Sequence, residues 1–162
     1  MPTVQAEYIW KLLEAVNDPE IPVVSLVEMG IVRDVVVSSS GQVAVKITPT
    51  FSGCPALHVM KTDIVDRLHA HGVESVEVQI VYSPPWTTDW ISEGAKEKLR
   101  TFGIAPAPQH DGNFEVILLD AATCPYCGSS RTTLRNSFGS TLCRMIYYCN
   151  ECQEPFEQFK PL

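Results

Sequence analysis

The sequence predicts a mixed α/β (α+β) protein, in which a small α-β-β-α-β-α domain precedes a C-terminal β domain. Two observations lead to this fold class. Helical and strand-like hydrophobic periodicities alternate along the first two thirds of the chain, whereas the last third carries two close pairs of cysteines. With 162 residues, 45% of them hydrophobic, the chain is long enough for one ordinary folded domain and a small appendage.

The elements of the first domain are predicted from apolar spacing and from turn residues. Apolar residues recur at helical spacing ahead of Asn17-Asp18-Pro19, which is typical of a helix that ends before a proline. Ser38-Ser39-Ser40-Gly41 separates two runs of β-branched residues, which indicates a β-hairpin. Pro55 and Gly72 bracket a second helical pattern. The predicted elements are helices over about 4–16, 55–71 and 90–102 and strands over 31–37, 43–48 and 76–80.

The domain boundaries are predicted from a segment rich in proline and glycine. Residues 103–112 read Gly-Ile-Ala-Pro-Ala-Pro-Gln-His-Asp-Gly, and this composition is typical of a linker. Asp89 is expected to cap the last helix of the first domain. We therefore predict an α/β domain over 1–105, a linker over 106–113 that leaves His110 in solvent, and a β domain over 114–162 that opens with a strand near 114–119.

Four of the six cysteines form two CxxC pairs, Cys124 with Cys127 and Cys149 with Cys152. Each pair points two sulfurs at one centre, and two pairs complete the tetrahedral four-thiolate shell that Zn²⁺ prefers. The 21 residues between the pairs are enough for a hairpin, so the spacing predicts a zinc ribbon. Iron in the same cage stays open, because the first pair, with an internal proline and a following glycine, also resembles a rubredoxin knuckle.

Other uses of these thiols are less consistent with the sequence. Two disulfides would need an oxidising compartment, and neither pair follows a strand and opens a helix as a thioredoxin-like redox motif does. Cys143 falls outside the pairs and is predicted to be a half-buried packing residue, with a spare or exchanging metal ligand as the alternative. Gly139 is predicted to turn the hairpin that carries the second pair.

Cys54 is the candidate for reactive chemistry. It is predicted at a helix N-terminus with Pro55 at the first helical position, where the helix dipole and free N–H groups would stabilise a thiolate for metal binding or nucleophilic attack. A buried cysteine of no chemical use is the alternative. His58, one helical turn along, is the nearest base or second ligand in sequence, although a lone helical histidine is usually a surface or packing residue.

Two carboxylates and two tryptophans complete the set of candidate residues. Asp18 and Glu20 flank a proline and cannot share a helical face, so they are not predicted to form an acid/base pair. Asp18 is predicted to terminate a turn. Trp86 and Trp90 lie across a proline-rich loop and a helix start; they are predicted to be core residues or, if exposed, a protein-docking surface.

The net charge of −7 is distributed without a concentrated basic patch. Residues 1–123 hold 8 basic and 16 acidic residues, and residues 124–162 hold 4 and 3. Nucleic acid and anionic membranes are therefore not expected as partners. No apolar run approaches the ~18 residues of a membrane span, and the first residues do not have the pattern of a signal peptide, so we expect a cytoplasmic protein.

Three segments together resemble the metal–sulfur cluster assembly factor family. They are Asn17-Asp18-Pro19-Glu20-Ile21-Pro22, Glu28-Met29-Gly30-Ile31-Val32 and Thr48-Pro49-Thr50-Phe51-Ser52-Gly53-Cys54-Pro55. The resemblance covers about residues 5–105 and implies a small α/β domain associated with iron–sulfur protein maturation, with the reactive cysteine at Cys54. The family commonly has Asp-Leu-Gly where this chain has Glu28-Met29-Gly30. Asp18, Glu20 and Thr50 lie in the same motifs and are further candidates for the site.

Residues 86–91, 102–106 and 138–141 are similar to one branch of that family, the D subunits of multicomponent phenylacetyl-CoA ring-epoxidising oxygenases of bacterial phenylacetate degradation. The similarity implies an accessory protein without catalysis of its own, which helps to mature the iron centres of the oxygenase and reductase subunits and handles iron or an iron–sulfur cluster transiently at Cys54. The chain itself lacks paired Glu-xx-His motifs and a Gly-rich dinucleotide fingerprint. A structural docking subunit without metal transfer, a Cys54-dependent enzyme and a homo-oligomer stay open.

Overall fold

A computed structural model of the chain describes residues 5–112 and 121–162. These residues form two compact units, one up to Trp86 and one from Thr87 onward. The elements follow one another in the predicted α-β-β-α-β-α order and are succeeded by further strands, which confirms the mixed α/β fold class. The strand predicted near 114–119 lies outside the described residues. In the described part of the chain, no helix combines the length and the apolar character needed to cross a bilayer.

The N-terminal unit packs two helices against a three-stranded sheet of order β1-β2-β3. Strands β1 and β2 are antiparallel and joined by the predicted turn at 38–41, whereas β3 is parallel to β2 because a helix crosses over between them. The elements are α1 (Ala6–Leu13), β1 (Val32–Val37), β2 (Val43–Ile47), α2 (Leu57–His69) and β3 (Val76–Ile80).

The core of this unit is aliphatic. Helix α2 contributes Met60, Ile64 and Leu68, which lie four residues apart and therefore on one helical face. Each fully buried aliphatic side chain contributes about 1.5–3 kcal/mol to folding, so the N-terminal unit has a core that does not depend on a metal. Its largest fully buried side chains are Ile9, Leu13, Val24, Leu26, Met29, Ile31, Ile47, Met60, Ile64 and Leu68.

Trp86 is part of the core rather than of an exposed docking surface. Its ring is only 4% exposed, and its indole Nε1 donates a hydrogen bond to the carbonyl of Met29 at 2.8 Å. Trp90 is half-buried and belongs to the C-terminal unit. The core interpretation therefore holds for Trp86.

The C-terminal unit contains a four-stranded sheet of order β4-β7-β6-β5. Strands β5, β6 and β7 form an antiparallel meander, and the short β4 pairs in parallel with β7. The unit begins with a 3₁₀ turn, Thr88–Trp90, and continues with α3 (Glu93–Phe102), β4 (Ile104–Ala105), β5 (Thr132–Asn136), β6 (Arg144–Cys149) and β7 (Pro155–Phe159). Gly103 ends α3 in the left-handed conformation, with φ at 92°, which a glycine adopts without strain.

The prediction that Asp89 caps α3 is wrong. Asp89 lies inside the 3₁₀ turn, and the hydroxyl of Ser92 accepts the capping hydrogen bond from the Ala95 N–H at 3.1 Å. The Asp89 carboxylate instead accepts hydrogen bonds from the N–H groups of His110 and Asp111, at 3.1 and 2.9 Å. Partners more than twenty residues away are not visible in a local sequence pattern.

The prediction that His110 lies in solvent is also wrong. The ring is buried, and its Nε2 lies 2.9 Å from the carbonyl oxygen of Leu162. The proline-rich segment around it is ordered by Asp89 and by the end of the chain, because these groups satisfy its polar atoms. Helix α3 and β4 belong to this C-terminal unit, because the two units divide after Trp86. This division comes earlier in the chain than the domain boundaries predicted at 105 and 113. Those domain boundaries stay a prediction.

Candidate functional site

Two tight turns of the same geometry present four cysteine sulfurs to one point of the C-terminal unit. The N–H of Gly128 donates to the carbonyl of Cys124 at 2.9 Å, and the N–H of Gln153 donates to the carbonyl of Cys149 at 3.0 Å. Both donor residues have positive φ, 74° for Gly128 and 61° for Gln153. The two CxxC pairs therefore form equivalent knuckles, one before β5 and one between β6 and β7.

The sulfur positions fit a tetrahedral metal. The four Sγ atoms of Cys124, Cys127, Cys149 and Cys152 lie within 4.8 Å of one another. The Cys124–Cys152 and Cys127–Cys149 pairs are 3.7 and 3.5 Å apart, far beyond the ~2.05 Å of a disulfide. A tetrahedral zinc with ~2.3 Å bonds to sulfur spaces its ligands about 3.8 Å apart. The structure thus brings together the four residues that the spacing predicted.

Backbone N–H groups prepare one of these thiols for metal binding. The N–H of Cys152, assisted by that of Glu151, stabilises the Cys149 thiolate and lowers the pKa of Cys149 to about 7, although burial acts in the opposite direction. At Cys152 the N–H of Glu154 also favours the thiolate, but burial and the neighbouring sulfurs outweigh it and raise the pKa of Cys152 to about 12. A cation in the centre would offset this electrostatic repulsion between neighbouring thiolates.

The arrangement is that of a closed structural site. Four protein thiolates fill a tetrahedral shell and leave no position for a substrate. Cys124 and Cys149 are also members of the small apolar core of the unit, whereas Cys127 is exposed and Cys152 is half-buried, so a metal would be held at the edge of that core. The core residues are Ala105, Ala122, Cys124, Met145, Tyr147, Cys149 and Phe156.

Cys143 lies outside this group of thiols among the described residues. It is buried, and its sulfur lies 3.0 Å from the hydroxyl of Thr141. It lies at the end of the loop between β5 and β6, where the Arg144 N–H donates to the Thr141 carbonyl at 3.2 Å. These surroundings are typical of a cysteine that serves as a packing residue.

Cys54 lies on the loop between β2 and α2, and the helix start predicted at Pro55 is wrong. Helix α2 begins at Leu57, since Cys54 and Leu57 first close a separate turn in which the Leu57 N–H donates to the Cys54 carbonyl at 3.3 Å. The Cys54 side chain is 9% exposed. Because the helix dipole acts within the first turn, it affects this thiol less than predicted, and the thiol is shielded from solvent.

The other candidates near the N-terminus have different surroundings. Asp18 is buried, and its Oδ1 accepts hydrogen bonds from the N–H groups of Glu20 and Ile21 at 2.8 and 3.0 Å. This confirms that Asp18 terminates a turn. Glu20 and His58 are exposed, and Thr50 is half-buried.

A reciprocal cap that was not predicted from the sequence holds the Glu28-Met29-Gly30 motif. The Glu28 carboxylate accepts from the Ser25 N–H at 2.9 Å, and the Glu28 N–H donates to the Ser25 hydroxyl at 3.1 Å. The Ser-x-x-Glu pattern is the sequence signal of such a capping box. Because Met29 also receives the Trp86 hydrogen bond, this motif has an architectural role in the N-terminal unit.

Two families of known proteins match separate parts of the chain. Residues 6–80 match the family described as "Iron-sulfur cluster assembly protein", and residues 111–160 match the "PaaD zinc beta ribbon domain". A protein of Escherichia coli (strain K12), named as the D subunit of a "Putative 1,2-phenylacetyl-CoA epoxidase", is 41% identical over 156 residues, which are 96% of this chain and 93% of that protein.

Shorter proteins match a smaller part of the chain. An "Fe-S protein maturation auxiliary factor" of Porphyromonas gingivalis is 34% identical over 57% of this chain and 89% of its own length. The crystal structure of a DUF59 domain from Bacillus anthracis covers 58% of this chain and 90% of that chain, with 32% identity and a TM-score of 0.55. This chain therefore carries a part that these relatives lack. It belongs to the family of 1,2-phenylacetyl-CoA epoxidase D subunits and joins an iron–sulfur cluster assembly domain to a PaaD zinc ribbon domain.

Proposed function

We propose that the protein is an accessory factor that handles iron or an iron–sulfur cluster during maturation of a multicomponent phenylacetyl-CoA ring-epoxidising oxygenase. The observation that carries this proposal is the joining of two parts in one chain. The assembly domain contains Cys54, the ribbon contains the four-thiol cluster, and the similarity to the E. coli protein extends over both. The oxygenase and reductase subunits of that system are the proposed partners.

The proposed role of Cys54 is to bind cargo transiently. Cys54 is the one cysteine in residues 1–123, whereas protein-bound iron–sulfur clusters are ordinarily held by about four thiolates. A single thiolate leaves most positions of the iron to other ligands, which a client protein can replace one by one. Weak, incomplete ligation is what a transfer protein needs. Because Cys54 is 9% exposed, the transfer also requires its loop to move aside.

The proposed role of the ribbon is to hold a resident Zn²⁺ through Cys124, Cys127, Cys149 and Cys152. When bound there, the ion supplies structural stability and no chemistry of oxidation, because its shell has no open position. The knuckle turns and their N–H groups orient the sulfurs around the ion. In this role the ribbon is a rigid platform for contacts with the partner subunits.

One observation favours a second function, that of a docking subunit without metal transfer. Cys54 is 9% exposed and Cys143 is 6% exposed, so the two cysteines are nearly equally buried. A buried thiol can serve packing alone. In this alternative, the ribbon contacts the partner and the assembly domain only supports it.

A loading experiment with matched cysteine variants separates the two functions. The oxygenase and reductase subunits are produced in cells with the wild-type chain, with Cys54→Ser or with Cys143→Ser, and their iron and acid-labile sulfide are measured after purification. We expect Cys54→Ser to reduce loading to the level found without the chain and Cys143→Ser to leave it unchanged. Melting temperature and zinc content verify that both variants fold. Full loading with folded Cys54→Ser would overturn metal transfer at Cys54.

A further inference from the structure

The loop between β5 and β6, residues 137–143, is called here the ribbon-tip loop. It displays two large apolar side chains to solvent, Phe138 at 61% and Leu142 at 56% exposure. Neither the zinc site nor the proposed cargo site uses these residues. A loop that exposes such side chains without a binding partner loses the free energy of burying them.

A partly buried ion pair holds this loop in one conformation. Arg144 and Glu157 lie on the neighbouring strands β6 and β7, and their Nη1 and Oε2 atoms are 2.7 Å apart. The Glu157 carboxylate also accepts from the N–H and the hydroxyl of Ser140, at 2.6 and 3.1 Å. The Arg144 Nε donates to the hydroxyl of Thr141 at 2.9 Å. The middle of the loop is thus fixed to the sheet by charge-assisted hydrogen bonds.

Gly139 permits the close approach that these bonds require. A Cβ atom at this position would lie 2.8 Å from the Glu157 Oε1 and 3.1 Å from the backbone carbon of Arg144. The Gly139 N–H meanwhile donates to the Arg144 carbonyl at 2.8 Å. The loop therefore presents Phe138 and Leu142 from a preorganised scaffold, and preorganisation reduces the entropy lost on binding.

One cation lies against an apolar side chain of the loop, and a second lies on the adjacent strands β5 and β6. The Lys160 ammonium lies 4.4 Å from the centroid of the Phe138 ring, and the Arg135 guanidinium lies 5.0 Å from that of Tyr148. In the described part of the chain, neither cation forms an ion pair with a carboxylate, whereas Arg131 and Arg144 do. The surface is therefore complementary to apolar groups surrounded by acidic ones.

We propose that the ribbon-tip loop inserts Phe138 and Leu142 into an apolar pocket with an acidic rim on a protein component of the client oxygenase system. This inference rests on the proposed function and names the element that selects the client. It agrees with the lengths of the relatives, because the shorter maturation factor and DUF59 domain match only 57% and 58% of this chain. Nucleic acid does not fit, since residues 124–162 hold 4 basic and 3 acidic residues.

Binding of the zinc-loaded full chain to the purified oxygenase complex and, separately, to the purified reductase tests this inference. The docking variants are Phe138→Ser combined with Leu142→Ser, and Lys160→Glu. The control variants are Tyr8→Ser and Tyr82→Ser, which change exposed aromatic residues of the N-terminal unit, 46% and 52% exposed. We expect the double variant to weaken binding to one component at least about 10-fold and Lys160→Glu to weaken it most at low salt, with both controls unchanged.

The other outcomes contradict the docking site. Unchanged binding by both docking variants, with zinc content intact, would place the interface elsewhere and leave the proposed function standing. Concentration-dependent self-association of the chain that the double variant abolishes would show that a second copy is the occupant. Absence of binding to either component would overturn the docking inference, while the iron content of clients made with and without the chain decides the proposed function separately.

Discussion

The two units of this protein use cysteine in opposite ways. In the C-terminal unit, four sulfurs converge within 4.8 Å on two equivalent knuckles, and two of them belong to the apolar core. In the N-terminal unit a single cysteine lies on a loop beside a core made of aliphatic side chains. The first arrangement suits a metal that stays and stabilises the fold, whereas the second suits the transient binding that we propose for Cys54.

The difference also predicts where each unit gets its stability. The described N-terminal core is built on large, fully buried aliphatic side chains such as Ile9, Leu26 and Ile64, while the core cluster around the ribbon thiols includes two metal-site cysteines and two alanines. Small domains with so little apolar burial ordinarily need a metal or disulfides. Changes at the metal should therefore affect one unit, and changes at the aliphatic core should affect the other.

Removal of the metal should have the largest effect. Treatment with a strong chelator, or Cys149→Ser, should unfold β5, β6 and β7, because zinc binding supplies about 10–16 kcal/mol in zinc-finger peptides at pH 7. Hydrogen exchange followed by mass spectrometry should show lost protection in these strands and retained protection in β1, β2 and α2. Cys143→Ser is the control and should keep the hydrogen-exchange protection of both units. Equal loss of protection in the two units would contradict the claim that only the C-terminal unit depends on the metal.

Trp86→Ala should have the next largest effect and act on the opposite unit. It empties a buried site and leaves the Met29 carbonyl without its donor, so we expect a loss of about 3–5 kcal/mol in unfolding free energy. Trp86→Phe should cost less because most of the ring volume remains. Denaturant unfolding measures both variants, and the zinc content should stay at the wild-type value. Zinc loss in Trp86→Ala would show that the units do not behave separately.

The affinity of the ribbon for zinc should depend steeply on pH. The pKa of Cys127 and Cys152 is raised in the metal-free site, so both thiols are protonated at neutral pH and must release their protons when the metal binds. These two released protons alone strengthen the apparent affinity about 100-fold per pH unit between pH 6 and 7, and the Cys149 thiol, with a pKa of about 7, is also partly protonated in this range and steepens the slope. Competition with a chromophoric chelator measures this slope. A slope near zero would show that these thiols are not the ligands.

The lowered pKa of Cys149 adds to this dependence from the folding side. Its thiol has a pKa of about 7 in the folded chain, lowered from an ordinary value of 9.0. Stability from this group is complete above pH 9 and is lost as the pH falls through 7. Acidification should thus shift the folding equilibrium of the metal-free ribbon further towards the unfolded state at the same time as it weakens metal binding.

Asp18→Ala should have the smallest effect of this series. It removes the acceptor of two backbone hydrogen bonds in a buried turn, which costs about 1–3 kcal/mol, whereas Asp18→Asn keeps an oxygen acceptor and should cost less. Melting temperature of the N-terminal unit is the measurement. If Asp18→Ala instead abolishes loading of the client subunits while the melting temperature stays at the wild-type value, Asp18 acts on the cargo rather than on the turn.

Local patterns explain why much of this architecture could be predicted. The turn at Ser38-Ser39-Ser40-Gly41 and the two CxxC pairs are encoded by neighbouring residues, so the hairpin and the convergence of the thiols follow from the sequence alone. The end of α3 at Phe102, before Gly103, is equally local.

Features set by distant contacts could not be predicted. His110 is buried because Asp89 and Leu162 provide its partners, and Arg144 finds Glu157 only after β6 and β7 have paired. The start of α2 was misplaced because a proline after Cys54 suits both a first helical position and the turn that precedes the helix. In each case the local residues allow two conformations, and tertiary contacts determine which is formed.

Metal analysis of the anaerobically purified chain tests most directly the claim that the two units handle different metals. Wild-type protein and Cys54→Ser are each analysed for zinc and iron, before and after incubation with ferrous iron, sulfide and a thiol reductant. We predict about one zinc per chain in both proteins and iron uptake in the wild type alone. Iron retained by Cys54→Ser in place of zinc, or zinc lost with Cys54, would contradict a resident metal in the ribbon and a transient one at Cys54.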